Sequence, residues 1–461
     1  MAEQYAGLSR ELCASAARIS YADLPVEVTD RLKLFLIDTF GVIRGASAAP
    51  GLHALNRRLS GWERGGSASM LLTDHRLSPP SAALANGAAA HALDFDDQHD
   101  PARVHTNCVM LPALLATAED IGAVDGERFL AALAVGAELH ARLGLACTNS
   151  LGWGWHPTMV LGSLAGSIAA GRLLGLAGEG LENALGMAFH QASGSAQSMR
   201  DGVLSKRLGA GFAARAAVLG AFLAADGLTG TRRTLEGSAG LISLYERDTF
   251  DLAQLMDGLG TQWRILDYSL KPWPCCRATH TVIGLGLQLR AEGVRPEQID
   301  AVEIGLGEYN WIAVGAAYQP ERKEVVHAQF SANYTFSRAL CDGRVDFDSF
   351  LPAALDAPAV TAITSRCTCI ADARIAPPAI HPAHVRVTLK NGEVRELYSA
   401  TMKGSPAAPM MRDEVTEKYR ACLRNGLPAS RPDAGDSLLA VIDRLEQSRD
   451  TGGDLINAFP R

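Results

Sequence analysis

From its first residue to about residue 265 the chain repeats one pattern, apolar side chains at helical spacing punctuated by glycine, and that repetition restricts this stretch to a largely helical domain. Leu32, Phe35, Leu36 and Phe40 recur in this way before Gly41 and Gly45. Phe129, Leu130, Leu133, Val135 and Leu139 repeat it, as do Leu208, Phe212, Ala216, Leu219 and Phe222 before Gly227. Small residues interrupt the helices at Ala82-Ala83, Gly87 to Ala90, Gly162, Ala165-Gly166 and Ala169 to Gly171. They allow helix axes to approach closely, as in a large bundle. Membrane helices use the same device, but the longest uncharged apolar stretches, such as Met159 to Gly171, fall short of the ~18 residues a span needs. The expectation is a soluble protein that does not enter a membrane.

The texture changes near residue 266. Pro272, Trp273, Pro274 and Cys275-Cys276 lead into one more helix near Thr279 to Glu292, after which alternation takes over. Val302, Ile304 and Leu306 form one alternating run; Val385, Val387 and Leu389 form another and continue through Asn391-Gly392 into Val394 and Leu397. Asn-Gly between two such runs predicts a hairpin. A chain of 461 residues exceeds what one core usually supports. Residues 1–265 together with 406–461, whose tail is helical from about Arg412, are therefore expected to form a large helical domain, and residues 266–405 a smaller α+β domain. The fold class is mainly α.

The net charge of −7 and the absence of a basic stripe argue against a nucleic-acid partner, so an anionic ligand needs a local cationic pocket. Nine scattered cysteines without zinc-knuckle spacing predict no structural disulfide and a reducing cytoplasm. Glu3, Arg10 and Glu11 near the start do not resemble a signal peptide.

One stretch is out of character with its alanine-rich surroundings: His91-Ala-Leu-Asp94-Phe-Asp96-Asp97-Gln98-His99, followed by Arg103 and His105. Further on, His156 stands between Trp155 and Pro157 where a helix should start, a position that favours neutral imidazole and attracts anions. Lys206 opens a long apolar helix, where a cation opposes the macrodipole. Lys271, Arg277 and His280 lie in a proline-stiffened segment at the domain boundary, and Tyr318 lies in a loop. A metal site from Asp94, Asp96, Asp97 and His99 lacks any recognised ligand spacing. There is no nucleophile elbow, no Walker sequence and no glycine-rich turn after a strand. What remains is acid–base chemistry without metal or cofactor, in which cations hold substrate carboxylates and a histidine moves a proton next to one of them.

Taken together, Ala85-Asn-Gly87 to Asp97, Gly154-Trp-His156-Pro157, the Lys206 segment with Gly209, Lys271 to His280, Ala328-Gln-Phe330-Ser331 with Tyr334, and Gly404-Ser-Pro406 resemble the MmgE/PrpD family. That family includes 2-methylcitrate dehydratase, cis-aconitate decarboxylase and iminodisuccinate epimerase. The resemblance implies a helical domain with an α+β lid, usually a homodimer, and a cleft between them for di- or tricarboxylates. It implies that Asp94, His105, His156, Lys206, His280 and Tyr318 are catalytic. On this reading His105, Lys206 and His280 hold carboxylates, His156 is the main proton-transfer group, Asp94 orients a histidine and Tyr318 is the opposing acid. Lys271, Arg277 and Gln98 are substrate-binding candidates, and Asp96 and Asp97 fall to helix-end or supporting roles. Gln98 and His105-Thr106-Asn107 depart from the Asp-Phe-Asp-Asp-Thr and His-Pro-Ser of many relatives, and Thr106 removes a rigid proline beside His105. The expected activity is a 2-methylcitrate-dehydratase-like lyase. The alternatives are a cis-aconitate-type decarboxylase, an iminodisuccinate-type epimerase, or a carboxylate-binding protein without catalysis.

Overall fold

The computed structural model describes residues 4–147, 150–247, 249–377, 379–428 and 434–461; the side chain of Trp153 lies outside the described residues. The chain is mainly helical with small sheets, and it divides into two compact units, Met1–Tyr268 with Met411–Arg461, and Ser269–Met410.

In the first unit the principal helices are α1 (Val26–Gly45), α2 (Pro79–Ala90), α3 (Asn107–Ile121), α4 (Gly126–Ala146), α5 (Pro157–Leu173), α6 (Glu179–Phe189) and α7 (Ser205–Ala225). Helix α7 is central, packed on α2, α5 and α6. Its small residues make this possible. A Cβ on Gly211 would lie 2.3 Å from the Leu84 carbonyl oxygen, one on Gly87 2.8 Å from Gly211 Cα, and one on Gly166 2.8 Å from Ala217 Cβ.

The stripe Leu208, Phe212, Ala216, Leu219 and Phe222 correctly marks a helix, yet only Ala216 of it is buried and the other four are part-buried or exposed. Phe212 is 43 % exposed, while Gly209, Ala210, Ala213, Ala214, Ala217 and Val218 are buried. Close axis approach favours the small side and turns the large residues outward. Two helices also exceed the length expected of apolar stretches: α4 and α7, at 21 residues each, are long and apolar enough to cross a membrane, but their apolar windows are 94 % and 61 % buried inside the fold. Charge inside α4 has a local use. Glu138 and Arg142 pair at 2.5 Å, and Arg142 donates to the carbonyls of Leu255, Asp257 and Gln262, fastening the segment that leads to Tyr268.

The second unit contains α8 (His280–Ala291), β1 (Ile299–Leu306), α9 (Ala332–Asp342), β2 (Cys367–Ala371), β3 (Ala383–Leu389) and β4 (Val394–Ser399). The sheet order is β2-β1-β3-β4, with β1 and β2 parallel and the other pairs antiparallel. The Asn391-Gly392 hairpin forms as expected, Gly392 taking φ +87° and donating to the Leu389 carbonyl at 2.8 Å. Val282, Leu285 and Leu289 of α8 share a core with Val302, Ile304, Val385 and Val387 of the sheet and Phe336 and Leu340 of α9. The last long helix, α10 (Arg412–Gly426), belongs to the first unit and lies on α1. There a Cβ on Gly41 would come within 2.9 Å of the Tyr419 ring, and one on Gly45 within 3.1 Å of Cys422 Cβ.

The inverted stripe of α7 leads to a direct expectation. Gly211→Ala, which forces a methyl against the Leu84 carbonyl, should cost about 1–3 kcal/mol, whereas Phe212→Ala should cost about 1 kcal/mol or less. Denaturant unfolding of the two variants checks the order.

Candidate active site

Helix α2 ends at Ala90, and the chain turns through His91 to Asp94, whose φ of +53° is a left-handed conformation uncommon outside glycine. Its carboxylate oxygen Oδ1 accepts from Lys206 Nζ in the first turn of α7. Two residues on, Asp96 Oδ2 accepts from His91 Nδ1 at 2.8 Å, with His105 Nδ1 3.2 Å from the same oxygen. Asp97 accepts from the backbone N–H groups of Thr106 (3.3 Å) and Asn107 (3.1 Å), capping α3. Three neighbouring acids, all buried, therefore have three separate sets of partners. Asp96 is thus the acid in contact with His91 and His105, while Asp94, expected to orient a histidine, pairs with Lys206.

Pro157 opens α5, and His156 precedes it as its N-cap residue, held by its own N–H on the Gly194 carbonyl at 2.8 Å. Thr158, in the same first turn, accepts from the backbone N–H of His105 at 2.9 Å. The rings of His91 and His105 meet edge-on with centroids 4.8 Å apart, and His156 lies 6.1 Å from His91. The structure thus gathers Asp94, His105, His156 and Lys206 in the first unit and adds His91 and Asp96. His156 is 4 % exposed, and among the described residues its Nδ1 has no hydrogen-bond partner.

Burial and neighbouring charge shape the protonation states. Burial pushes His156 well below the ordinary histidine value, with His91, Lys206 and His105 adding repulsion, so the ring is neutral at pH 7. His91 is lowered to about 4 by burial and Lys206, against the attraction of Asp96. Burial alone would raise Asp96, but His91 and His105 more than offset it and hold the carboxyl well below its usual range. Asp97 goes the other way, to about 7, through burial and the nearby Asp96 and Asp38. One carboxylate is thereby kept charged and its neighbour close to neutral, two environments on adjacent residues.

His91, Asp96 and His105 also place one ligand atom each within 4.8 Å of the others, a set that bears on metal binding. Donors at metal distances of ~2.1 Å in tetrahedral array lie about 3.4 Å apart. The 2.8 Å contact between His91 and Asp96 is shorter than that and is a direct hydrogen bond. The trio fits a carboxylate hydrogen-bonded to one imidazole with a second close by better than a cation cage, and it is not the acid set that the sequence raised for a metal.

The second unit holds the candidates Lys271, Arg277, His280 and Tyr318. Its three segments that carry the family resemblance lie against one another. Leu270 N donates to the Gly404 carbonyl at 3.0 Å, Cys276 N to Gln329 O at 2.9 Å, and Gln329 Nε2 to Pro274 O at 2.9 Å. Lys271 is fully buried. Arg277 donates to the Lys403 carbonyl (2.7 Å), Ser269 Oγ (3.1 Å) and His280 Nδ1 (3.1 Å). A guanidinium has only donors, so His280 Nδ1 is the acceptor and its Nε2–H faces the Cys275 carbonyl at 3.3 Å. Both ring nitrogens are engaged, and a carboxylate would have to displace one of these contacts. Tyr318 is also committed: its hydroxyl donates to the Leu355 carbonyl at 2.7 Å, its ring stacks on His327, and burial pushes it up to about 12.

His99, singled out with the acids, has a packing role. Its Nδ1 accepts from Ala102 N at 3.2 Å and its ring meets that of Tyr268. Gln98 is half-buried between Asp97 and His99. The residues that sequence reasoning undervalued are His91 and Asp96. Their signal was present: a histidine directly after a helix and an acid five residues later, separated by a turn that brings them back together.

These states give a pH dependence of stability. His91 and His99 lie at about 4 and His140 at about 3, against an ordinary 6.5, so their burial contributes stability that is whole above pH 6.5 and lost as pH falls toward 4. Asp97, at about 7 against 3.8, contributes in the opposite sense, stabilising at low pH and losing that contribution as pH rises to 7. Between these limits the unfolded chain takes up more protons on histidine than the folded chain takes up on Asp97. The thermal midpoint should therefore rise from about pH 5 to about pH 7, by at most about 1.4 kcal/mol per pH unit for each net proton. Asp97→Asn should steepen that rise in thermal melts across the same range.

Comparison with known proteins identifies the family. Residues 10–253 match the MmgE/PrpD N-terminal domain and residues 273–443 the MmgE/PrpD C-terminal domain. A cis-aconitate decarboxylase-like protein of Aspergillus oryzae is 29 % identical over 92 % of this chain and 92 % of its own length. The cis-aconitate decarboxylase of Aspergillus terreus is 25 % identical over 95 % and 94 %, and that of Homo sapiens 28 % identical over 92 % and 88 %. With both domains matched in order and nearly the whole chain covered, the protein belongs to the MmgE/PrpD family.

Proposed function

We propose that this protein is a carboxy-lyase that decarboxylates an unsaturated tricarboxylate of the cis-aconitate type. The observation that carries the proposal is the buried, neutral His156 beside the His91–Asp96–His105 cluster, in the same unit as the Lys206–Asp94 pair. Relatives named as cis-aconitate decarboxylases, similar over most of both chains, favour this alternative over the dehydratase expected first.

The chemistry suits these residues. In decarboxylation a C–C bond to one carboxylate breaks, carbon dioxide leaves, and the electron pair passes into the substrate's own conjugated double bond. The substrate is thus its own electron sink, and the reaction needs no organic cofactor. One proton must then be added to the carbanion. His156 is neutral before binding, and an arriving polyanion raises its proton affinity, so it can carry that proton into the complex and release it to carbon. Lys206 holds a substrate carboxylate, and the Asp94 contact fixes the ammonium in place. His105, oriented by Asp96, holds a second. Gln98, beside Asp97 in the same unit, is a neutral contact. We take the active protein to be a homodimer, which light scattering tests.

Incubation with cis-aconitate, 2-methylcitrate, citrate and substituted succinates in deuterated water, read by proton NMR, discriminates among the activities. A decarboxylase gives carbon dioxide and one solvent deuterium per product. An alkene from 2-methylcitrate would instead indicate the dehydratase, and deuterium in recovered substrate the epimerase. Binding with no turnover of any of these acids would indicate the non-catalytic alternative. His156→Gln should lower kcat by about 100-fold or more. Lys206→Gln, which retains a donor for the buried Asp94, should do the same; a rate near wild type in either folded variant sinks these assignments. Tyr318→Phe and His280→Gln test the remaining roles, and loss of kcat without unfolding would support direct participation.

A further inference from the structure

A second buried lysine reaches the acid turn, from the far end of the chain. Lys418 on α10 is fully enclosed, its side chain 3 % exposed. Its Nζ lies 2.6 Å from Asp38 Oδ1 on α1, donates to the Phe95 carbonyl at 2.6 Å, and sits 3.8 Å from the centroid of the Phe95 ring. Phe95 separates the two acids with distinct partners, Asp94 on Lys206 and Asp96 on His91 and His105. The cation therefore grips the turn by its backbone, midway between them.

We propose that Lys418 is a positioning residue of the active site, setting the register of Asp94 and Asp96 through the Phe95 carbonyl. The turn needs such a hold because Asp94 has φ +53°. A non-glycine residue in that conformation persists only where its surroundings fix it. A purely adhesive role between α10 and α1 explains the pair less well. The Gly41–Tyr419 and Gly45–Cys422 contacts already join those helices without charge, and burying an ion pair for adhesion is costly where an apolar side chain would serve. Nor does adhesion require a contact with the Phe95 carbonyl, which belongs to neither helix.

The consequence for turnover rests on the proposed decarboxylation, but the positioning can be read without substrate. A histidine N–H shared with a buried carboxylate gives a low-field proton resonance, and wild type should show such a signal from His91 on Asp96, assigned through its loss in His91→Gln. The principal variant is Lys418→Met with Asp38→Asn, which removes the pair without stranding a buried charge. In that folded protein the resonance should shift or broaden, and kcat on cis-aconitate should fall about tenfold or more, as expected for displaced catalytic groups. Lys418→Arg, whose guanidinium can still donate to the Phe95 carbonyl, should leave the resonance closer to wild type than the double variant does. An unchanged resonance in the folded double variant would overturn the positioning role. If wild type turns over no polycarboxylate while the resonance still responds to Lys418, the proposed activity fails and the positioning role stands.

Discussion

A buried carboxylate is tolerated only with a counter-charge, enough hydrogen-bond donors, or a proton, and the first unit buries Asp38, Asp94, Asp96 and Asp97 close together. Each satisfies the requirement differently. Asp94 faces Lys206, Asp38 faces Lys418, Asp96 lies between two imidazoles, and Asp97 takes two backbone N–H groups and moves toward its neutral form. The same desolvation keeps His91 and His156 uncharged at neutral pH. A histidine available to move protons and a carboxylate available to orient one are thus two outcomes of a single physical constraint, sorted by which neighbour each group meets.

Helix packing brings those neighbours together. The small-residue contacts of α7 with α2 and α5 hold these helices close against one another. Three helix starts are tied to the acid stretch and its surroundings. The first turn of α3 is capped by Asp97, that of α5 receives the His105 N–H on Thr158, and that of α7 carries Lys206 onto Asp94. Helix N-termini carry partial positive charge and unsatisfied N–H groups. Here the start of α3 already meets the Asp97 carboxylate and Lys206 meets Asp94, so positive ends and buried acids balance locally in a chain whose net charge is −7.

Much of this could be read in the sequence, and the omissions have physical reasons. Strong periodicity identified the helices, and Asn391-Gly392 identified its hairpin, because both signals are local. The buried face of α7 could not be read from hydrophobicity alone, since close approach rewards small side chains over large ones and leaves Phe212 outside. The short parallel strand Cys367–Ala371 carries no local signature, for its partner β1 lies some sixty residues earlier. In the site, Asp94, His105, His156 and Lys206 stood out as reactive residues in small-residue surroundings. The contact between Asp96 and His91 did not, because it depends on a left-handed turn whose conformation at a non-glycine residue nothing nearby in the chain announces.

The same dependence on distant contacts changes the meaning of Thr106. In the sequence it reads as the loss of a stiff proline beside His105. In the folded unit its hydroxyl lies 2.9 Å from His140 Nδ1 and 2.5 Å from the Tyr268 hydroxyl, and Tyr268 donates to the Ala137 carbonyl at 3.0 Å. With the tyrosine proton so used, Thr106 must donate to Tyr268 and His140 to Thr106, giving a chain with one consistent direction. All of its members are buried. A proline would supply rigidity through its ring but no hydroxyl, and it would leave His140 and Tyr268 without this partner. The loop carrying His105 is thus held by hydrogen bonds to α4 and to the end of the first unit instead of by its own covalent stiffness. Holding a loop in this way fixes its position as firmly as a proline only while every member keeps its partner. Thr106, His140 and Tyr268 therefore form one hydrogen-bonded chain, anchored at the residue that follows His105.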